Sequence, residues 1–131
     1  MAGKVENLGG VFIYSADSKN LAEWYQENLG LTHETWGDSG VYYISFPYQD
    51  EAGAKRYFAW SIMPSKEKLP SKSLKVFTIN LRVSDIDDLV SNLVSKGVTV
   101  KPVETHDEGK FAWCEDVEGN PIELWEDVVN K

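Results

Sequence analysis

The feature that most limits how this chain can fold is that its pattern runs twice. Ile13 and Leu81, Asp17 and Asp85, and Leu21 and Leu89 are each 68 residues apart, and Gly30 and Gly97 are 67 apart. Self-similarity at such a period marks two copies of one supersecondary unit, neither of which buries its apolar face alone. In the first copy, residues 9–15 alternate as a strand does, with Val11 and Ile13 on one face and Gly10, Phe12 and Tyr14 on the other. Asp17 or Ser18 then offers an N-cap, and Leu21, Trp24, Tyr25 and Leu29 recur at helical spacing. We assign Trp24 and Tyr25 to the core on that spacing. Gly30 ends the helix. Residues 31–36 and 41–47 read as strands joined by a turn at Gly37-Asp38-Ser39-Gly40, and residues 56–63 as a fourth strand.

Residues 64–73, rich in Pro, Ser and Lys, have no periodicity and read as a linker inside the domain. The pattern then restarts. Residues 75–83 form a strand, and Ser84 or Asp85 caps a helix with the stripe Ile86, Leu89, Val90, Leu93 and Val94, which Gly97 ends. A short edge strand is predicted over 98–103, around Pro102, followed by strands over 110–115 and 122–126. The expectation is an α+β fold in one domain over 1–131, with module one at about 8–63 and module two at about 74–127. Each module is βαβββ. Together they would make a curved eight-stranded mixed sheet with helices outside and a concave face suited to a ligand.

The last strand is the most informative stretch. In Asp116-Val117-Glu118-Gly119-Asn120-Pro121-Ile122-Glu123-Leu124-Trp125-Glu126, Gly119 and Asn120 suit a tight turn and Pro121 a first strand position. Ile122 and Leu124 face one way, and Glu123 and Trp125 the other. Either that second face is wet, or Glu123 is held there for a purpose. The net charge of −8 argues against a nucleic-acid partner. It suits a neutral or cationic small molecule. The single cysteine, Cys114, excludes an internal disulfide and fits a reducing, cytoplasmic setting. It reads as a buried, inert thiol. Nothing resembles a signal peptide or a membrane span, so no membrane partner is expected.

Gly9-Gly10-Val11-Phe12, the helix Leu21-Ala22-Glu23-Trp24-Tyr25 with Leu29-Gly30 after it, and Asp116 to Trp125 resemble the glyoxalase, bleomycin-resistance and extradiol-dioxygenase superfamily, also called vicinal oxygen chelate. The resemblance spans nearly the whole chain and implies two βαβββ modules, assembled as a homodimer. It also implies one divalent metal held from the first and fourth strand of each module. Carried over position by position, those ligands fall on Gly10, Thr78, Glu123 and Phe58, or Trp60 if the register slips by two. Only Glu123 is a metal ligand of the usual kind. We therefore expect no metal or other cofactor. His33 on the second strand and His106 in a loop lie away from those positions.

In place of the metal, the inward parity gives Phe12 and Tyr14, Phe58 and Trp60, Thr78, Asn80 and Arg82, and Glu123 and Trp125, with Trp60 and Trp125 in matching places. These rings either line a ligand cavity or simply fill the barrel mouth. Arg82 and Glu123 face the same space and would pair. Two functions follow from the resemblance. One is a metal-free binder of a cationic, partly flat small molecule in an aromatic cavity. The other is a superfamily enzyme, lyase or dioxygenase in type, with Glu123 as general base or as sole protein ligand to one weakly held divalent metal. A purely structural module would have no cavity.

Overall fold

In the computed structural model of the chain, the described residues are 3, 6–65, 75 and 77–128. The linker expected over 64–73 lies outside them beyond Ser65. The elements are β1 (Gly10–Ser15), α1 (Ser18–Leu29), β2 (Glu34–Thr35), β3 (Tyr42–Gln49), β4 (Lys55–Pro64), β5 (Ile79–Arg82), α2 (Ile86–Ser95), β6 (Glu104–His106), β7 (Gly109–Glu115) and β8 (Pro121–Asp127). They form two four-stranded sheets of identical topology, ordered β1-β4-β3-β2 and β5-β8-β7-β6. In each, the first strand runs parallel to the last and the remaining pairs are antiparallel. The 68-residue repeat is thus a repeat of βαβββ topology.

The described residues fall into two compact units, one within Met1–Ala22 and Thr32–Leu69, the other within Glu23–Leu31 and Pro70–Lys131. In the first, Ile13, Trp60 and Ile62 are buried on one face of the sheet, as alternation requires. The Asp17 carboxylate caps α1 by accepting from the Asn20 backbone N–H at 3.2 Å. In the second, Ile79, Ala112, Cys114, Ile122 and Leu124 are buried on one sheet face, and α2, which packs against β7 and β8, adds Ile86 and Leu93. Tyr25, at the C-terminal part of α1, is fully buried. No helix among the described residues is long and apolar enough to cross a membrane.

Several elements depart from expectation for identifiable reasons. Residues 98–103 form no strand. Pro102 has no N–H to give a ladder, so pairing begins after it, in β6, which takes in the supposed loop residue His106. The strand expected over 31–36 shrinks to Glu34–Thr35. Neither Ser84 nor Asp85 caps α2 with a side chain. Asp85 sits in the left-handed region at φ 50, and the Glu126 carboxylate accepts the Ile86 N–H at 2.7 Å instead.

Candidate functional site

The site residues are placed by the pairing of β5, β8 and β7. Asn80 lies opposite Glu123 and Arg82 opposite Trp125. On the other side of β8, Trp113 lies opposite Glu123 and Phe111 opposite Trp125. All six side chains therefore stand on the face of the sheet away from Ile122 and Leu124. Phe111 stacks on Trp125 with centroids 6.2 Å apart and planes 3° apart. It stacks on Trp113 at 6.1 Å and 13°. The result is a row of three nearly parallel, half-exposed rings.

Glu123 is pinned beside this row. One carboxylate oxygen accepts the Asn80 amide N–H at 2.7 Å, and the other accepts the Trp113 indole N–H at 2.9 Å. The expected Arg82–Glu123 pair does not form. Arg82 lies over the Trp125 ring, 5.2 Å from its centroid, and pairs with the Asp127 carboxylate at 3.3 Å. Two residues further along β8, a carboxylate on the same face meets the long Arg82 side chain. The Trp125 indole N–H is fixed by the Glu108 carbonyl at 3.0 Å. Thr78, exposed, precedes β5 on the same parity.

The first sheet corrects the parity expected of its fourth strand. Val11 pairs with Trp60 and Phe12 with Ser61, so Trp60 and Phe58 share the face of Val11 and Ile13, opposite Phe12 and Tyr14. A shift of one residue turns every side chain of a strand over. Since Phe12 answers Asn80 and Tyr14 answers Arg82 in the repeat, Ser61 is the counterpart of Glu123 and Met63 that of Trp125. Trp60 is 3% exposed and donates its indole N–H to His33 Nε2 at 2.9 Å, a core role. Phe12 and Tyr14 remain half-exposed on the other face.

Of the positions named from the resemblance, only Glu123 carries a side chain of the kind a transition metal uses. A Cβ built on Gly10 would collide with the Ala59 carbonyl oxygen and lie 2.9 Å from the Ala59 Cβ. Ser61 and Thr78 are hydroxyls, and both Glu123 oxygens already accept N–H donors. Among the described residues no three His, Cys, Asp or Glu side chains converge on one point.

The turn before β8 is organised by Asp116. One of its oxygens accepts the backbone N–H groups of Glu118 and Asn120 at 2.8 and 2.9 Å. The other accepts the Tyr25 hydroxyl at 2.7 Å and the Asn120 amide at 2.6 Å. Burial and the Asp116 charge push the Tyr25 hydroxyl far above its ordinary range. Cys114 is buried, and burial, with Asp116 and Glu115 adding to it, raises its thiol to about 11, so it is inert as expected.

The sequence reading missed Phe111, Trp113 and Trp24. The period-two spacing of Gly109, Phe111, Trp113 and Glu115 was a usable signal for the first two. Trp24, expected in the core, is half-buried and is among the residues around a cavity of about 870 Å³, as is Trp113. None of Asn80, Arg82, Glu123 or Trp125 lines that cavity.

Compared with solved structures, the chain is similar to the antibiotic binding protein TnmS3 from Streptomyces, at 18% identity and TM-score 0.67, covering 96% of this chain and 99% of that one. It is similar to a glyoxylase/bleomycin resistance protein/dioxygenase domain from Frankia, at 14% identity and TM-score 0.62, covering 95% and 99%. It is also similar to the oxidase ChaP-H2, at 15% identity and TM-score 0.64, covering 98% of each. No family model matches the sequence, and no curated protein does. The protein has the glyoxalase/bleomycin resistance/dioxygenase fold of two βαβββ modules.

Proposed function

We propose that this protein binds a flat small molecule on the aromatic face of its second sheet and does so without a metal. The observation that carries the reading is the row Trp125, Phe111 and Trp113, parallel within 13° and half-exposed, with Glu123 fixed beside it. Rings held rigid before binding lose little freedom on contact, which is how aromatic surfaces hold planar ligands. The exposed Glu104 on β6 and the net charge of −8 favour a ligand carrying a positive charge. A fold shared with an antibiotic binding protein supports the same reading.

Glu123 serves here to orient, not to remove a proton, because both of its oxygens are engaged by N–H donors. Thr78, Asn80 and Arg82 edge the face as polar contacts. A cytoplasmic homodimer belongs to the same proposal. It rests on the sequence resemblance and on the single buried cysteine. The test is a screen of planar cations against chelator-treated protein, read by tryptophan fluorescence. Binding that weakens about tenfold in both Trp125→Ala and Phe111→Ala, with circular dichroism unchanged, supports the proposal. Affinity unchanged in both variants, or binding that requires added metal, overturns it.

A further inference from the structure

Four residues from four strands form one row across the second sheet. Glu104 on β6 lies opposite Phe111 on β7, Phe111 opposite Trp125 on β8, and Trp125 opposite Arg82 on β5. Residues opposite one another share a face, so the row carries an acid at one end, a base at the other and two stacked rings between them. The two ends differ. Arg82 lies over Trp125, and Asp127 answers its charge at 3.3 Å. A guanidinium there disfavours a second cation. At the β6 end, one Glu104 oxygen meets His106 Nε2 at 2.9 Å, and the other meets no donor among the described residues. The His106 ring is tilted against Phe111, with centroids 5.8 Å apart, and so stands at the border of the stack. Resting on the flat-ligand reading of this face, we propose that Glu104 and His106 form a proton-gated subsite that holds the ligand's positively charged group at the β6 end of the row.

Because a carboxylate only accepts, Nε2 of His106 carries the hydrogen of this bond. A neutral imidazole leaves Glu104 its full charge, with one oxygen open to a cation. A protonated imidazole sets a positive charge beside the same carboxylate, which offsets that charge and repels the ligand's own. Histidine is the side chain that makes this change between about pH 5 and 8. Few charged groups face His106. Glu104 comes from its own strand. From β7 come Gly109 and Phe111, neither of which titrates, and across Gly109 on β8 stands Asp127, engaged by Arg82. Asp107 and Glu108 follow in the turn and are exposed. Lys110, of opposite parity, turns to Asp87 at 2.9 Å.

The test is calorimetric titration at low ionic strength, at about pH 8 and about pH 5.5. Two probes are used whose own charge is fixed across that range: 1-methylquinolinium, a planar cation, and 1-methyl-2-quinolone, uncharged and nearly the same in shape. The quinolinium should bind about fivefold more weakly at the lower pH, and the quinolone equally at both. His106→Gln, which keeps an N–H for Glu104 but takes up no proton, should bind the quinolinium equally at both pH values. Glu104→Gln should weaken the quinolinium about fivefold at the higher pH and leave the quinolone as it was. Suppose Trp125→Ala weakens quinolinium binding, yet the affinity is the same at both pH values, or its pH dependence survives in His106→Gln. Either result overturns the gated subsite and leaves the aromatic face as the binding site. So does an unchanged quinolinium affinity in Glu104→Gln. Binding of neither probe, or binding that Trp125→Ala does not weaken, overturns the subsite together with the flat-ligand reading on which it rests.

Discussion

Replacing Asp116 should unfold much of what holds the second unit together, and the size of the loss follows from its partners. Asp116 is buried, as are Tyr25 and Asn120, so the donors it serves are cut off from water. Tyr25→Phe removes one O–H bond to a carboxylate, worth about 1.5–3 kcal/mol. Asp116→Ala removes the acceptor of both the Tyr25 hydroxyl and the Asn120 amide, at about 1–3 kcal/mol each, and frees the turn, for a total of about 3–5 kcal/mol. That is a large share of the roughly 5–15 kcal/mol available to a protein of this kind. Urea unfolding followed by circular dichroism measures both, and the double variant should show coupling above about 1 kcal/mol. The Tyr25 hydroxyl also predicts a pH effect. Its folded pKa lies above the ordinary value of 10.0, so its contribution is present below about pH 10 and declines as pH rises further. Absorbance at alkaline pH should show one tyrosine that ionises only on unfolding. An Asp116→Ala variant within about 0.5 kcal/mol of the parent, or strictly additive losses, would refute the reasoning.

Other outcomes follow from single contacts. Glu123→Gln should cost only about 1 kcal/mol, because it exchanges one N–H acceptor for a donor on a half-exposed face and Arg82 is paired with Asp127. A loss of 3–5 kcal/mol in urea would instead indicate a buried Arg82–Glu123 pair. Gly10→Ala should destabilise by about 1–3 kcal/mol, since its Cβ meets the Ala59 carbonyl across the β1–β4 ladder. A thermal melt unchanged from the parent would contradict that. Cys114, with its thiol raised from 9.0 to about 11, should resist a thiol reagent at neutral pH until the protein unfolds. Its contribution to stability is present below about pH 9 and declines toward pH 11.

Most of the fold was legible because each module states its own order. Alternation in residues 9–15 and 122–126 located β1 and β8, and the glycines at 30 and 97 closed the helices. What was not legible was phase within β4. Tyr57-Phe58-Ala59-Trp60 has no alternation of apolar and polar residues, so only pairing with β1 decides which face each takes. The same limit moved the counterpart of Glu123 from Phe58 to Ser61. Glu123, Asn80 and Trp125 were correctly placed on one face, because they lie on short strands bounded by clear signals. Their partners were not. Whether Arg82 meets Glu123 or Asp127 depends on side-chain reach, and Trp113 entered the site only through the β7–β8 register.

The central claim is that ligand contact falls on Trp113 and Trp125. Its most direct test is the set of tryptophan indole N–H resonances. The chain has five tryptophans, and each gives one signal, assigned by single substitution. Titration of chelator-treated protein with a planar cation found in the screen should shift the Trp113 and Trp125 signals together. The Trp36 signal, from a ring 74% exposed, should stay in place. If Trp113 and Trp125 do not move while another tryptophan does, the aromatic face of the second sheet is not where the ligand binds.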